Sequence, residues 1–108
     1  MKLTELISNL TSNERLQAMY EELGLNEESE ALLIYLKEEL DIEADIAIFE
    51  IEETDDDLLF QKDGIQYIQL FPIAHVIDLI EFDLDLKDKG YSNIEIAQKL
   101  LDYRKNDA

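Results

Sequence analysis

In 108 residues the chain carries 27 Asp and Glu against 9 Lys and Arg, a formal net charge of −18, with 46% apolar residues and no Cys. Its apolar fraction, with four Phe and five Tyr spread along the chain, excludes an acidic disordered tail. The missing Cys excludes disulfides, thiolate metal sites and a Cys nucleophile, and the charge opposes direct contact with nucleic-acid phosphates.

A chain of this length is expected to form one compact domain over residues 1–108, burying roughly two-thirds of the surface its unfolded form exposes. Met1 to Leu10 is interrupted by Thr4, Glu5, Ser8 and Asn9 and so lacks a signal peptide's apolar run. No stretch reaches the roughly 18 apolar residues of a membrane span. A cytoplasmic protein without a membrane partner is the expectation.

The first elements read as helices. Leu3, Leu6, Ile7 and Leu10 recur at the spacing of one helical face. Thr11 with Glu14 three residues on has the form of a capping box opening a second helix, whose buried face would be Leu16, Met19, Tyr20 and Leu23. Gly24 stands where a left-handed cap closes such a helix. Asn26 can cap a third helix, with Glu27, Glu28 and Glu30 in its first turn and Leu32, Leu33, Leu36 and Leu40 continuing it.

The period then changes. Asp45 to Glu52 is Ile-rich and alternates at its end, as a strand with one buried face does. After a turn at Glu53 to Asp57, Leu58 to Phe60 forms a second strand, Asp63-Gly64 signals a type I′ hairpin, and Ile65 to Phe71 returns as a third strand. Pro72 suits the first turn of a helix, along which Ile73, Val76, Ile77, Ile80 and Leu84 repeat at helical spacing. Gly90 separates it from a last helix, where Ser92 and Glu95 form a capping box, Tyr91 can staple onto Ile96, and Ile94, Ala97, Leu100 and Leu101 face inward. The expected fold is α+β: three N-terminal helices, a three-stranded antiparallel meander and two C-terminal helices packed on the sheet.

Chemistry-bearing motifs are scarce. His75 is the one His, so a multi-His metal site is impossible, and a structural hydrogen bond to Asp78 is its expected role. An EF-hand reading from Asp85 fails, because Lys87 and Lys89 occupy ligand positions and Ile96 replaces the bidentate Glu. Gly24, Gly64 and Gly90 are too far apart to form a phosphate loop, and no Ser has a nucleophile-elbow context. No cofactor, no metal and no enzymatic activity are expected.

The segment Gly90-Tyr91-Ser92-Asn93-Ile94-Glu95-Ile96-Ala97-Gln98-Lys99-Leu100 resembles the first helix of a helix-turn-helix. That resemblance implies a recognition helix after it, for which eight residues leave no room, so good capping accounts for it. Arg104 and Lys105 are expected to complement the helix dipole.

Charge placement carries the functional reading. From Glu38 to Asp57 the chain has Glu38, Glu39, Asp41, Glu43, Asp45, Glu50, Glu52, Glu53, Asp55, Asp56 and Asp57 and no Lys or Arg; a second cluster is Asp78, Glu81, Asp83 and Asp85. Rows of carboxylates can occupy a Lys- and Arg-lined groove that ordinarily tracks phosphates, associating quickly and with strong salt dependence. The expected activity is non-enzymatic inhibition: blocking a basic protein such as a nuclease, in the manner of an immunity protein or a nucleic-acid mimic aimed at a restriction or CRISPR nuclease. Its contacts would be Glu50, Glu52, Glu53, Asp55, Asp56 and Asp57, in a turn that no core demands, with Asp83 and Asp85 secondary. The competing expectation is a structural or adaptor subunit, a homodimer included, whose acidity serves solubility alone.

Overall fold

The structure is a computed structural model that describes residues 1–11, 13–24, 31–83 and 90–107. Two helices, α1 (Leu3–Leu10) and α2 (Asn13–Leu23), precede strands β1 (Leu32–Lys37) and β2 (Ile46–Glu50). A one-turn helix α3 (Ile51–Thr54) leads to β3 (Leu59–Lys62) and β4 (Ile65–Pro72), followed by α4 (Ile73–Asp78), a π-helical turn (Leu79–Asp83) and α5 (Asn93–Asp107).

The fold is α+β, with four strands rather than three. Residues 32–37 form a strand where helical spacing predicts a third helix, and the predicted cap Asn26 lies outside the described residues. The reason is burial on both faces. Ile34 and Leu36 enter the main core, while Leu33 and Tyr35 are equally buried on the opposite face. A strand covered on both sides loses its polar alternation and reads as a continuous apolar run, which periodicity cannot separate from a helix.

Strand order is β2-β1-β4-β3, all antiparallel, so the predicted meander is also corrected. β1 occupies the place beside β2, and β2 and β3 become opposite edges. The chain therefore crosses from one edge to the other through residues 51–58. In a flat sheet those edges would stand roughly 14 Å apart, three strand spacings of about 4.8 Å. Yet the rings of Phe49 on β2 and Phe60 on β3 have centroids only 5.2 Å apart. The sheet is strongly curled into a half-barrel whose concave face holds Tyr35, Phe49, Phe60 and Tyr67 in mutual edge-on and tilted contact.

A bulge in β4 contributes to this geometry. Ile34 pairs with Phe71 and Tyr35 with Gln69, leaving Leu70 as the extra residue. Leu70 and Phe71 both meet the helix-side core, where Phe71 also lies against Tyr103 of α5. Arg104 docks beside the bulge, its Nε donating to the Gln69 carbonyl at 3.1 Å. Arg104 thus ties α5 to β4, beyond the dipole role expected of it.

The convex face carries the helices. Leu3, Leu6, Ile7 and Leu10 of α1, Val76 of α4, and Ile96, Ala97, Leu100 and Leu101 of α5 surround Ile34, Leu36 and Leu70. Several local expectations hold: Asp63 and Gly64 both have positive φ (55° and 79°) in the hairpin turn, and Gly24 closes α2 at φ 65°. Ser92 Oγ accepts the Glu95 N–H at 3.2 Å while the Glu95 carboxylate accepts the Ser92 N–H at 3.3 Å, a complete capping box.

Others are corrected. Thr11 closes α1, its hydroxyl donating to the Ser8 carbonyl at 3.1 Å. Leu23 is 48% exposed at the end of α2, and Ile94 is 63% exposed. At about 100° per residue Ile94 lies at the edge of the stripe formed by Ile96, Ala97, Leu100 and Leu101, about 20° from Leu101 but nearly two turns before it, in the first turn of α5. The strand predicted from Asp45 to Glu52 stops at Glu50: the Ile51 N–H still donates in register to the Ala31 carbonyl (3.0 Å), and the chain then winds into α3. His75 is exposed and its ring packs on Phe71, with centroids 5.0 Å apart, instead of bonding to Asp78. Leu84 lies outside the described residues.

Candidate functional site

The acidic crossover from β2 to β3 passes over the concave face. Glu50 ends β2 and is the N-cap of α3, half-buried, with Glu52 and Glu53 exposed in the first helical turn. Asp55 closes α3 in the left-handed conformation (φ 54°), donating its N–H to the Ile51 carbonyl at 2.8 Å. Asp56 follows at φ 60°, also left-handed. Asp57 then donates its N–H to the Thr54 carbonyl at 3.1 Å.

Two buried side chains of the sheet hold this turn. The Tyr35 hydroxyl donates to the Asp57 carbonyl at 2.5 Å. Gln69 Nε2 faces the Asp56 carboxylate at 3.0 Å, the Tyr35 hydroxyl at 3.3 Å and the Asp57 carbonyl at 3.5 Å. Left-handed backbone at a residue with a Cβ costs roughly 1 kcal/mol or more. Each neutral hydrogen bond returns roughly 0.5–1.5 kcal/mol, and one to a carboxylate roughly twice that. The bonds offset the strain.

The turn is therefore docked on the sheet, which corrects the expectation that no core demands it. Thr54 shows why: it is only 2% exposed, with its hydroxyl buried and without a hydrogen-bond partner. The docking directs the backbone carbonyl of Asp57 inward, while Asp55, Asp56 and Asp57 remain exposed on the outer surface.

Two lysines from distant parts of the chain enter the acidic run. Lys62 Nζ pairs with Glu53 at 3.0 Å and lies 5.3 Å from the Phe49 ring, closing one side of the concave mouth. That hydrogen bond and the Glu53 charge hold the Lys62 ammonium above its ordinary pKa. At the other end of the sheet Lys2 pairs with Asp45 at 3.1 Å and donates to the Glu43 carbonyl. The Lys2 hydrogen bond and charge hold the Asp45 carboxyl below its ordinary value. The run is thus offset in space at Glu53 and Asp45, though not along the sequence.

Glu50 to Asp57 form one contiguous segment. Asp83 ends the π-helical turn, and Asp85 lies outside the described residues. The residues missed from the sequence are the anchors, Tyr35 and Gln69. Their signal was a hydroxyl-bearing ring inside Leu33-Ile34-Tyr35-Leu36 and an amide inside a strand, since a buried polar tip needs a partner.

Among the described residues no group of three or more Asp, Glu or His is arranged to hold a metal ion, and no helix is long and apolar enough to cross a membrane. The chain matches no protein-family model, no curated protein and no solved structure. Its functional reading rests on its own residues.

Proposed function

We propose that this chain is a non-enzymatic inhibitor that covers a basic surface of a partner protein, of the kind that tracks nucleic-acid phosphates. An immunity protein for a nuclease toxin, or a nucleic-acid mimic directed at a restriction or CRISPR nuclease, is the class of protein meant. The observation that carries the reading is the anchoring of the Asp55 to Asp57 turn on the sheet by hydrogen bonds from Tyr35 and Gln69. A solubilising surface needs charge but no fixed shape. A binding surface benefits from a shape set in advance, because ordering a loop on binding weakens affinity.

The remaining charge supports the same reading. At −18 the field of the whole molecule steers a basic partner toward it and raises the association rate, with an effect that salt screens. Glu52, Asp55 and Asp57 are the proposed contacts at the crossover, with Glu50, Glu53 and Asp56 positioning the segment and adding to its field; Asp83 and Asp85 remain secondary.

Affinity capture on the immobilised protein at low and then moderate salt, from a lysate of the source cell, tests this. A basic protein released by rising salt, and no longer retained by the combined Asp55→Asn, Asp57→Asn variant, is the expected result. Its nucleolytic activity, where it has one, should fall on adding the wild-type chain. Salt-insensitive self-association with no basic partner would overturn the proposal in favour of a structural subunit.

A further inference from the structure

Edge strand β3 has a side with which no strand among the described residues pairs. It pairs with β4 alone, through Leu59 with Ile68, Phe60 with Tyr67, Gln61 with Gln66 and Lys62 with Ile65. The Gln69 N–H donates to the Leu58 carbonyl at 2.9 Å, and Lys62 with Ile65 closes the two-residue turn. By antiparallel alternation Leu58, Phe60 and Lys62 therefore direct their backbone polar groups toward β4, and Leu59 and Gln61 direct theirs outward.

Exposed edges in natural sheets are blunted by lysines, prolines or covering loops. Here Lys62 is turned onto the concave face, over Phe49 and against Glu53. What the edge presents instead is Leu58 and Leu59, each 58% exposed. Beside Leu59 lies a shallow cavity of about 220 Å³ lined by Leu59, Phe60, Gln61 and Gln66. Asp57 precedes this stretch and Asp63 follows it, both exposed.

We infer that the β3 edge is the docking site for an extended, Lys- and Arg-bearing segment of the partner, which adds to the sheet as a fifth strand. Its backbone pairs with the outward N–H and C=O groups of Leu59 and Gln61. One of its apolar side chains enters the cavity beside Leu59, and its basic side chains reach Asp57 and Asp63 at either end. Charge decides the occupant. A second copy aligned on this edge would set Asp57 and Asp63 of one chain against those of the other, between molecules of charge −18 each. The inference rests on the proposed basic partner and adds the place and manner of its contact.

The test titrates the isotope-labelled protein with an acetylated, amidated peptide of alternating Lys and Val, and separately with the same peptide N-methylated at every residue, which has no N–H left to pair as a strand on either edge. Expected are saturable shifts centred on Leu58 to Asp63, slowed amide exchange at Leu59 and Gln61, and roughly tenfold weaker binding by the methylated peptide. Leu59→Asp, with an otherwise unchanged spectrum, should weaken the unmodified peptide by a similar factor. Equal binding of the two peptides, shifts without protection at Leu59 and Gln61, or dimerisation through β3 overturns strand addition and leaves the basic-partner reading standing. Failure of both peptides to bind counts against both.

Discussion

The Gln69 amide nitrogen lies 3.0 Å from the Asp56 carboxylate, joining the middle of a central strand to the most acidic turn of the molecule. Gln69 is almost fully buried, and its neighbour Tyr35 is completely so. Both residues act on the turn from beneath. Tyr35→Phe should lower stability by about 0.5–1.5 kcal/mol, and Gln69→Leu by about 1–3 kcal/mol, because each leaves partners of the turn unpaired. Since the two side chains touch each other, the double variant should lose less than the sum of the singles. Urea unfolding of the four proteins checks this, and strict additivity would show that the anchors act independently.

Thr54 makes the opposite prediction. Its buried hydroxyl has no partner, so removing it while keeping the side-chain shape should help. Thr54→Val is expected to stabilise by up to about 1 kcal/mol. A lower midpoint in chemical denaturation would mean that the hydroxyl is satisfied after all.

Asp55 and Asp56 share the left-handed backbone but differ in what their carboxylates do. Asp55→Gly relieves strain and removes a like charge, and should stabilise by roughly 0.5 kcal/mol after the extra freedom of the unfolded Gly is subtracted. Asp56→Gly gains the same relief but strips Gln69 of its shortest bond. It should be neutral or destabilising. Denaturation midpoints for the two variants on either side of the wild type are the expected pattern, and identical shifts would remove the Gln69 bond from the account.

Some of this was legible in the sequence. The Asp63-Gly64 hairpin and the Ser92/Glu95 cap are written within four residues of chain, and local rules read them. Strand β1 was not legible, because its two buried faces depend on elements far away in sequence. The acidic run was visible, and so was its location before β3. What holds it was not, since Tyr35 reaches Asp57 across 22 residues and Gln69 reaches Asp56 across 13. Contacts of that span follow from strand order, and strand order follows from which apolar faces find each other.

Acid and alkali should act on the two lysine pairs in opposite directions. Asp45 gives up its proton more readily in the fold than in the unfolded chain, where its pKa is the ordinary 3.8. Its pair with Lys2 therefore stabilises the fold above that pH, and the contribution is lost as pH falls through the lowered folded value. Lys62 is the reverse: its contribution is present below the ordinary 10.5 and is lost as pH rises through the raised folded value. Carboxyl titration by NMR should place Asp45 below 3.8 in the wild type and nearer to it in Lys2→Met. No change between the two would detach the shift from Lys2.

Salt tests the charge as a whole. Two exposed ion pairs, Lys2 with Asp45 and Lys62 with Glu53, weaken as salt rises, because their charges face solvent. Against them stands repulsion among carboxylates in a molecule of charge −18, which the same salt relieves. Repulsion involves many more groups and should win, so the melting temperature is expected to rise from low salt to about 0.5 M NaCl. Glu39 stands exposed in the β1–β2 loop beside Glu38, Asp41 and Glu43. Glu39→Lys should stabilise at low salt by up to about 0.5 kcal/mol and make the melting temperature less dependent on salt. A melting temperature that falls steadily with salt would show that the ion pairs outweigh the repulsion, and that the fold has already distributed its carboxylates far enough apart to tolerate them.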